Sequence, residues 1–287
     1  MIRKQKVLVI VGPTASGKSA LAVRLAKKLN GEIISADSRQ VYKGLDIGTG
    51  KITKGEMRGI PHYLMDVADP KERFTAAEWK PMALNAIRFI LGRNKLPIII
   101  GGTGFYIDAL TMDLPEVQPN SILRKKLEKR SLKELQRMLG KHKIKDPNNR
   151  VRLIRAIEII RTLGKIPRVK IRSDYDFIWI GLKPKDLDKR IHERLLKRIP
   201  GILRETKKLN RKRAYELGLE YRFTSEYLQG KFTKKEFIER LEIAIRQYSK
   251  RQMTWFRKNK KIRWFDSASG AFRATTRLLS ARPKPKR

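Results

Sequence analysis

The sequence contains no cysteine, which excludes disulfides and thiolate metal sites. It has no apolar stretch approaching the roughly 18 residues needed to cross a bilayer. The apolar run Val7 to Val11 near the N-terminus is too short for the core of a signal peptide, and it leads straight into a glycine-rich loop, so it reads as a first strand. These absences suit a cytoplasmic protein, and that location is expected. No internal repeat is found. Acidic residues are scarce: 28 Asp+Glu face 68 Lys+Arg, a formal net charge of +40. The deficit is uneven. Residues 1–115 hold 18 basic and 10 acidic side chains, whereas residues 116–287 hold 50 and 18. A basic excess so concentrated points to a polyanion partner, most simply nucleic acid, engaged mainly by the second part of the chain.

What is present begins with "GPTASGKS", Gly12, Pro13, Thr14, Ala15, Ser16, Gly17, Lys18 and Ser19, which fits the phosphate-loop pattern G-x-x-x-x-G-K-[ST]. Gly12 and Gly17 let backbone N–H groups converge on phosphate oxygens, and the following helix adds its positive N-terminus. Lys18 can reach an outer phosphate and Ser19 can help to hold Mg²⁺. The loop alone establishes a cradle for linked phosphates and does not decide between a nucleoside triphosphate and a diphosphate. Short apolar runs at "EIISAD", "HYLMDV" and "LPIIIGGTG" alternate with helical patterns, including residues 74–91 with a Thr75/Glu78 capping box and a Pro81 expected to kink its first turns. This order predicts an α/β fold: a P-loop NTPase-like parallel sheet flanked by helices. After about Pro115 the chain reads as short basic helices over 121–164. Near 177 a strand returns as "FIWIGL", followed by an amphipathic helix, a long capped helix from Thr233 to about Lys258, and a last strand at "IRWFD". The expected organisation is a catalytic core of residues 1–116 and 173–287, interrupted by a basic helical insertion at 117–172. The tail "SARPKPKR" is expected to be disordered.

Several stretches could carry chemistry. Asp37 falls at the carboxyl end of the second strand, the edge that faces the ligand crevice in such sheets. By itself it reads equally as a helix cap or as a carboxylate able to take a proton from a substrate. Thr103, in "GGTGFY", lies at the corresponding end of the fourth strand, and as an isolated feature this is also an ordinary strand-to-helix turn. Arg190, Arg194 and Arg198 recur at four-residue steps, which on spacing alone reads as a solvated helix face. On the long helix, Arg240, Gln247, Arg251 and Lys258 share one side, while Tyr248, Trp255 and Phe256 are expected to be mostly core.

Six blocks, "GPTASGKS", "ISADSRQVYKGLDIGTGK", "GIPHYLMDV", "GGTGFYIDAL", "NNRVRLIRAIEI" and "RQYSKRQMTWFR", occur in an order that resembles the tRNA dimethylallyltransferases, from about residue 6 to 266. The resemblance implies transfer of a dimethylallyl group from dimethylallyl diphosphate to the N6 amine of the adenosine beside the anticodon, with Mg²⁺ as cofactor. It implies a diphosphate held by Gly12 to Ser19, a catalytic carboxylate at Asp37 that contacts the adenine amine, a threonine near the reacting centre at Thr103, and a diphosphate-binding arginine at Arg194. Ser38, Arg39, Gln40, Arg124 and the segment Val151, Arg152, Leu153, Ile154 and Arg155 fall on tRNA-contact positions. The anticodon stem-loop is the implied partner, and a monomer is expected. This chain departs from the usual pattern at Arg39-Gln40, often Ala-Leu, at Val151, often Gln, and in a shorter insertion. A small-molecule P-loop kinase, prenyl transfer to free AMP, and an RNA-binding module with a vestigial loop are the competing readings. The kinase and AMP readings leave the basic second part unused.

Overall fold

Val7 to Val11 are fully buried and form the body of the first strand, β1 (Gln5–Val11). The computed structural model describes residues 4–115, 117, 120–172 and 174–280, and the structural statements below concern these. The β1 strand runs into the phosphate loop and then α1 (Lys18–Leu29), whose Leu21, Ala22, Leu25 and Ala26 lie on one face and pack against the sheet. Next come β2 (Gly31–Ser35), the single turn α2 (Lys54–Met57), β3 (His62–Tyr63), α3 (Ala76–Gly92), β4 (Leu96–Gly101) and α4 (Gly104–Thr111). The Thr75/Glu78 capping box is formed, and α3 is a single helix that includes Pro81. The strand expected over "HYLMDV" is only two residues long. Leu64 and Asp66 adopt φ of 63° and 56°, which an extended strand does not allow.

The chain divides into two compact units, one of Met1–Thr111 with Ser173–Arg287 and the other Met112–Arg172. The smaller unit contains β5 (Met112–Asp113), α5 (Ser121–Glu128), α6 (Leu132–Leu139), α7 (Arg150–Leu163) and β6 (Lys170–Ile171). The β5 and β6 strands pair antiparallel, too briefly to show as alternation in the sequence. Leu127, Leu135, Leu139, Leu153, Ile154, Ala156 and Ile157 form its own apolar core.

The larger unit resumes with β7 (Tyr175–Leu182), α8 (Leu187–Thr206), α9 (Arg211–Leu217), α10 (Leu219–Leu228), α11 (Lys234–Phe256), β8 (Arg263–Phe265) and α12 (Ala268–Ser280). The α9, α10 and α12 helices have no counterpart in the sequence reading. The expected disordered tail lies outside the described residues except for Ser280, which closes α12. Six parallel strands form one sheet in the order β3-β2-β4-β1-β7-β8, with Val9 aligned to Ile99 on one side and Trp179 on the other. The β1, β2 and β4 strands are buried nearly throughout because helices cover both faces. A second apolar cluster, built on Ile191, Leu195, Ile202, Phe237 and Leu241, joins α8 to α11. Through it the two helices bearing the second half's site residues are fixed to each other.

Candidate active site

The phosphate loop turns where β1 ends against the end of β7. Gly12 has φ of 150°, and a Cβ on it would lie 2.4 Å from the Leu182 carbonyl oxygen, so only glycine fits. Gly17 (φ 88°) precedes α1 and leaves Lys18 in its first turn. The Lys18 Nζ folds back over its own loop and donates to the Pro13 carbonyl at 2.7 Å. The backbone N–H of Thr14 donates to Oε1 of Gln252 at 2.8 Å. Burial pushes the Lys18 ammonium down to about 7; the nearby Arg194 charge acts in the same direction, and Asp37 opposes it.

This shift gives the loop a pH signature. A diphosphate binds the charged amine, so pyrophosphate binding at neutral pH should take up part of a proton at Lys18, and affinity should fall as pH rises through 7. Calorimetry in buffers of differing ionisation enthalpy will show this uptake, and Lys18→Met will remove it. In the free protein the sign is fixed by the same comparison. Folded Lys18 holds its proton more weakly than the unfolded value of 10.5, so its stability cost is full below about pH 7 and fades between 7 and 10.5.

Asp37 follows the end of β2 by two residues. Its Oδ1 accepts from the backbone N–H groups of Arg39 (2.9 Å) and Gln40 (3.4 Å), so the carboxylate does cap the turn it opens. It also lines a cleft of about 470 Å³ that is bordered as well by Lys18, Thr103, Arg194 and Tyr248. The two readings of Asp37 therefore hold together. Among the described residues its hydrogen bonds fall on one oxygen. Thr103 enters the cleft because β4 lies beside β2, with Ser35 aligned to Ile100. Thr103 Oγ1 accepts from the Ser38 N–H at 3.1 Å and donates to Ser38 Oγ at 3.3 Å. Arg39 reaches back to the Glu216 carbonyl at 3.3 Å, and Gln40 donates to the Gly50 carbonyl at 3.5 Å.

The arginine series on α8 does not form one solvated face. Arg190 is exposed and paired to Asp186, but Arg194 and Arg198 turn onto the loop at 45–51. Arg194 donates to the Gly50 carbonyl at 2.9 Å, and Arg198 Nε donates to the Ile47 carbonyl at 2.6 Å. Burial, then the neighbouring Arg198 charge, lowers the Arg194 pKa from its ordinary value. The same loop is held from beneath by Glu205. That buried carboxylate accepts from the N–H groups of Asp46 (2.9 Å), Ile47 (2.6 Å) and Gly48 (2.8 Å), and from the Tyr221 hydroxyl (2.9 Å).

Sequence reasoning missed Glu205, Tyr221 and Gln252 as site-shaping residues, and it placed Tyr248 with the core. Phe256 is core and Trp255 is half-buried, its indole N–H bonded to Asp108. Tyr248 instead borders the cleft, as Thr103 does. Burial, then the Asp37 charge, pushes its hydroxyl up to about 12. The only sequence signal was membership of the "RQYSKRQMTWFR" block.

In the smaller unit, Arg124 makes a bidentate pair with Glu158 (3.0 and 2.8 Å), and Arg155 also approaches that buried carboxylate at 3.4 Å. Leu153 and Ile154 are buried in the unit's core. They hold α7 in place, so of the residues 151–155 the outward side chains are Val151, which is 72% exposed, and Arg152. The geometry thus separates residues that face solvent from residues that brace them.

The profile of the family described as IPP transferase matches residues 40–259. The tRNA dimethylallyltransferase of Anoxybacillus flavithermus is 42% identical, across 91% of this chain and 90% of the relative. That of Bacillus subtilis is 38% identical, across 92% and 91%. Among solved structures, the tRNA isopentenylpyrophosphate transferase of Bacillus halodurans superposes with a TM-score of 0.72 at 36% identity, covering 96% of each chain. A eukaryotic dimethylallyltransferase acting on tRNA gives a TM-score of 0.83 at 28% identity, over 98% of this chain and 81% of that one.

Proposed function

We propose that this chain, which belongs to the IPP transferase family together with the tRNA dimethylallyltransferases, moves a dimethylallyl group from its diphosphate to the N6 amine of the adenosine on the 3′ side of the anticodon. The observation that carries the mechanism is that one cleft holds both a phosphate loop and the Asp37 carboxylate. An allylic diphosphate reacts when its C–O bond breaks, leaving negative charge on the diphosphate and partial positive charge on carbon. Lys18, the loop N–H groups and Arg194 are suited to receive the diphosphate charge. The adenine amine is a weak nucleophile because its lone pair is delocalised into the ring. Asp37, with one oxygen tied to its own turn, can orient that N–H and accept its proton as the C–N bond forms. Thr103 and Ser38 fix the backbone on which Asp37 sits. The adenine must leave its stack to enter such a cleft.

Mg²⁺ fits the donor set as a shared ion. Ser19 supplies a hydroxyl oxygen at the cleft, and magnesium is commonly held by one or two protein oxygens plus substrate phosphates. Such an ion would offset charge on the departing diphosphate. The basic second part supports an RNA acceptor over free AMP, with the exposed Arg152 and the cleft-lining Arg251 as contacts to the RNA backbone, joined by the cleft-lining Arg39 from the first part.

The test is to incubate the protein with Mg²⁺, dimethylallyl diphosphate and unmodified tRNA, then digest the tRNA and weigh its nucleosides. Prenylated adenosine is expected. Equal transfer to free AMP, or ATP-dependent phosphorylation without prenylation, would overturn the reading.

A further inference from the structure

The side chain of Gln252 sits where the two halves of the cleft meet. It is 6% exposed and makes one hydrogen bond in each direction. Its Oε1 accepts from the Thr14 N–H in the phosphate loop at 2.8 Å. Its Nε2 donates to the Gly102 carbonyl at 2.8 Å. The contact on that second side is close: a Cβ on Gly102 would lie 2.3 Å from Nε2. Gly102 precedes Thr103, whose hydroxyl bonds Ser38, and Ser38 follows Asp37. A continuous hydrogen-bonded line therefore runs from the phosphate loop through Gln252 to the loop that carries the carboxylate. One helical turn earlier on α11, Tyr248 lines the same cleft as Thr103, so α11 presents two successive turns to this site.

We propose that Gln252 is a positioning residue for prenyl transfer, setting the spacing between the phosphate loop and the Asp37 loop. The amide is suited to this task because it must accept on one side and donate on the other; a carboxylate can do only the first and an apolar isostere neither. The use of the Thr14 N–H has a corollary. That amide braces the loop in place of contacting phosphate, leaving the remaining loop amides and Lys18 to hold the diphosphate. Reaction between two bound partners depends steeply on their separation, and a misplacement of about 1 Å can cost on the order of 100-fold in rate. Binding of either partner alone does not require the spacing to be right.

The inference rests on the prenyl-transfer reading, and its test separates the two. If wild-type protein fails to prenylate tRNA, that reading falls. If wild type is active, Gln252→Leu and Gln252→Glu decide the inference. For Gln252→Leu, the single-turnover rate at saturating donor and tRNA should fall by roughly 30–100-fold. Affinities for pyrophosphate and for tRNA, measured separately, should stay within about threefold. Gln252→Glu supplies a pH readout that a merely structural role would not move. When protonated, its carboxyl can accept from Thr14 and donate to Gly102 as the amide does, so the ratio of variant to wild-type rate should rise as pH falls. Turnover of Gln252→Leu within threefold of wild type would overturn the inference, as would a rate loss matched by an equal loss of pyrophosphate affinity. Should the leucine variant fail to fold, Gln252→Glu decides alone, and a rate ratio that does not change with pH would overturn it.

Discussion

Asp37→Ala and Asp37→Asn should both slow the chemical step of prenyl transfer by about 10²–10⁴-fold, the usual contribution of a positioned general base. The pair is needed because Asp37 has two structural relationships. Its Oδ1 caps the Arg39 and Gln40 N–H groups, and the carboxylate as a whole faces the cleft. Alanine removes both cap and base. Asparagine keeps an acceptor oxygen for the cap and lacks the capacity to take a proton. If proton transfer is the role, the two variants should be similarly slow in single-turnover assays at saturating substrates. Filter binding should then give tRNA dissociation constants within a few-fold of wild type. If asparagine restores most of the rate, the cap is what matters, and the assignment of Asp37 as proton acceptor fails.

Glu205→Ala should be among the most destabilising single substitutions in the larger unit. It leaves three backbone N–H groups and the Tyr221 hydroxyl without their shared acceptor in a buried site. Loss of a buried charged acceptor of this kind costs about 3–5 kcal/mol. The urea midpoint should fall accordingly. Glu205→Gln should lie between alanine and wild type, since it keeps one acceptor oxygen and turns an NH₂ toward N–H donors. The effect should reach the site as well. Arg194 and Arg198 bond carbonyls of the same 45–51 loop, so pyrophosphate affinity should drop in whatever fraction remains folded. An unchanged midpoint would show that the loop is held by its other contacts.

The parts of this site that were legible in the sequence are those whose geometry is local. Gly12 to Ser19 announce themselves because strand, turn and helix N-terminus are contiguous. Asp37 and Thr103 could be placed on the crevice edge because they follow apolar runs that read as strands, and neighbouring parallel strands end at one edge. Arg194 could not be placed this way. A four-residue step describes one helix face and does not say what covers it; family resemblance pointed to Arg194, and the structure shows the 45–51 loop over it. Glu205 and Gln252 were invisible for a related reason: their backbone partners lie some 150 or more residues away in the chain. Short pieces failed differently. Two-residue strands such as β3 and β5 carry no periodicity, and the boundary of β3 is set by the positive φ of Leu64 and Asp66. In the smaller unit, the motif spanning 151–155 reads as one block, yet a helix necessarily divides it between an inner and an outer face, and only the fold shows that Leu153 and Ile154 are inward.

The strand order has a consequence for how the chain comes off the ribosome. Val7 in the central strand is aligned with Phe177, and every residue of the smaller unit is made between them. On the β7 side, β1 must remain an open edge, apolar from Val7 to Val11, until the smaller unit has been synthesised, and such edges are sites of mispairing. The smaller unit, with its own core, can collapse during that wait. Folding of the sheet is thereby timed by translation, and slow passage through the 112–172 segment prolongs the interval in which a nascent chain needs chaperone cover.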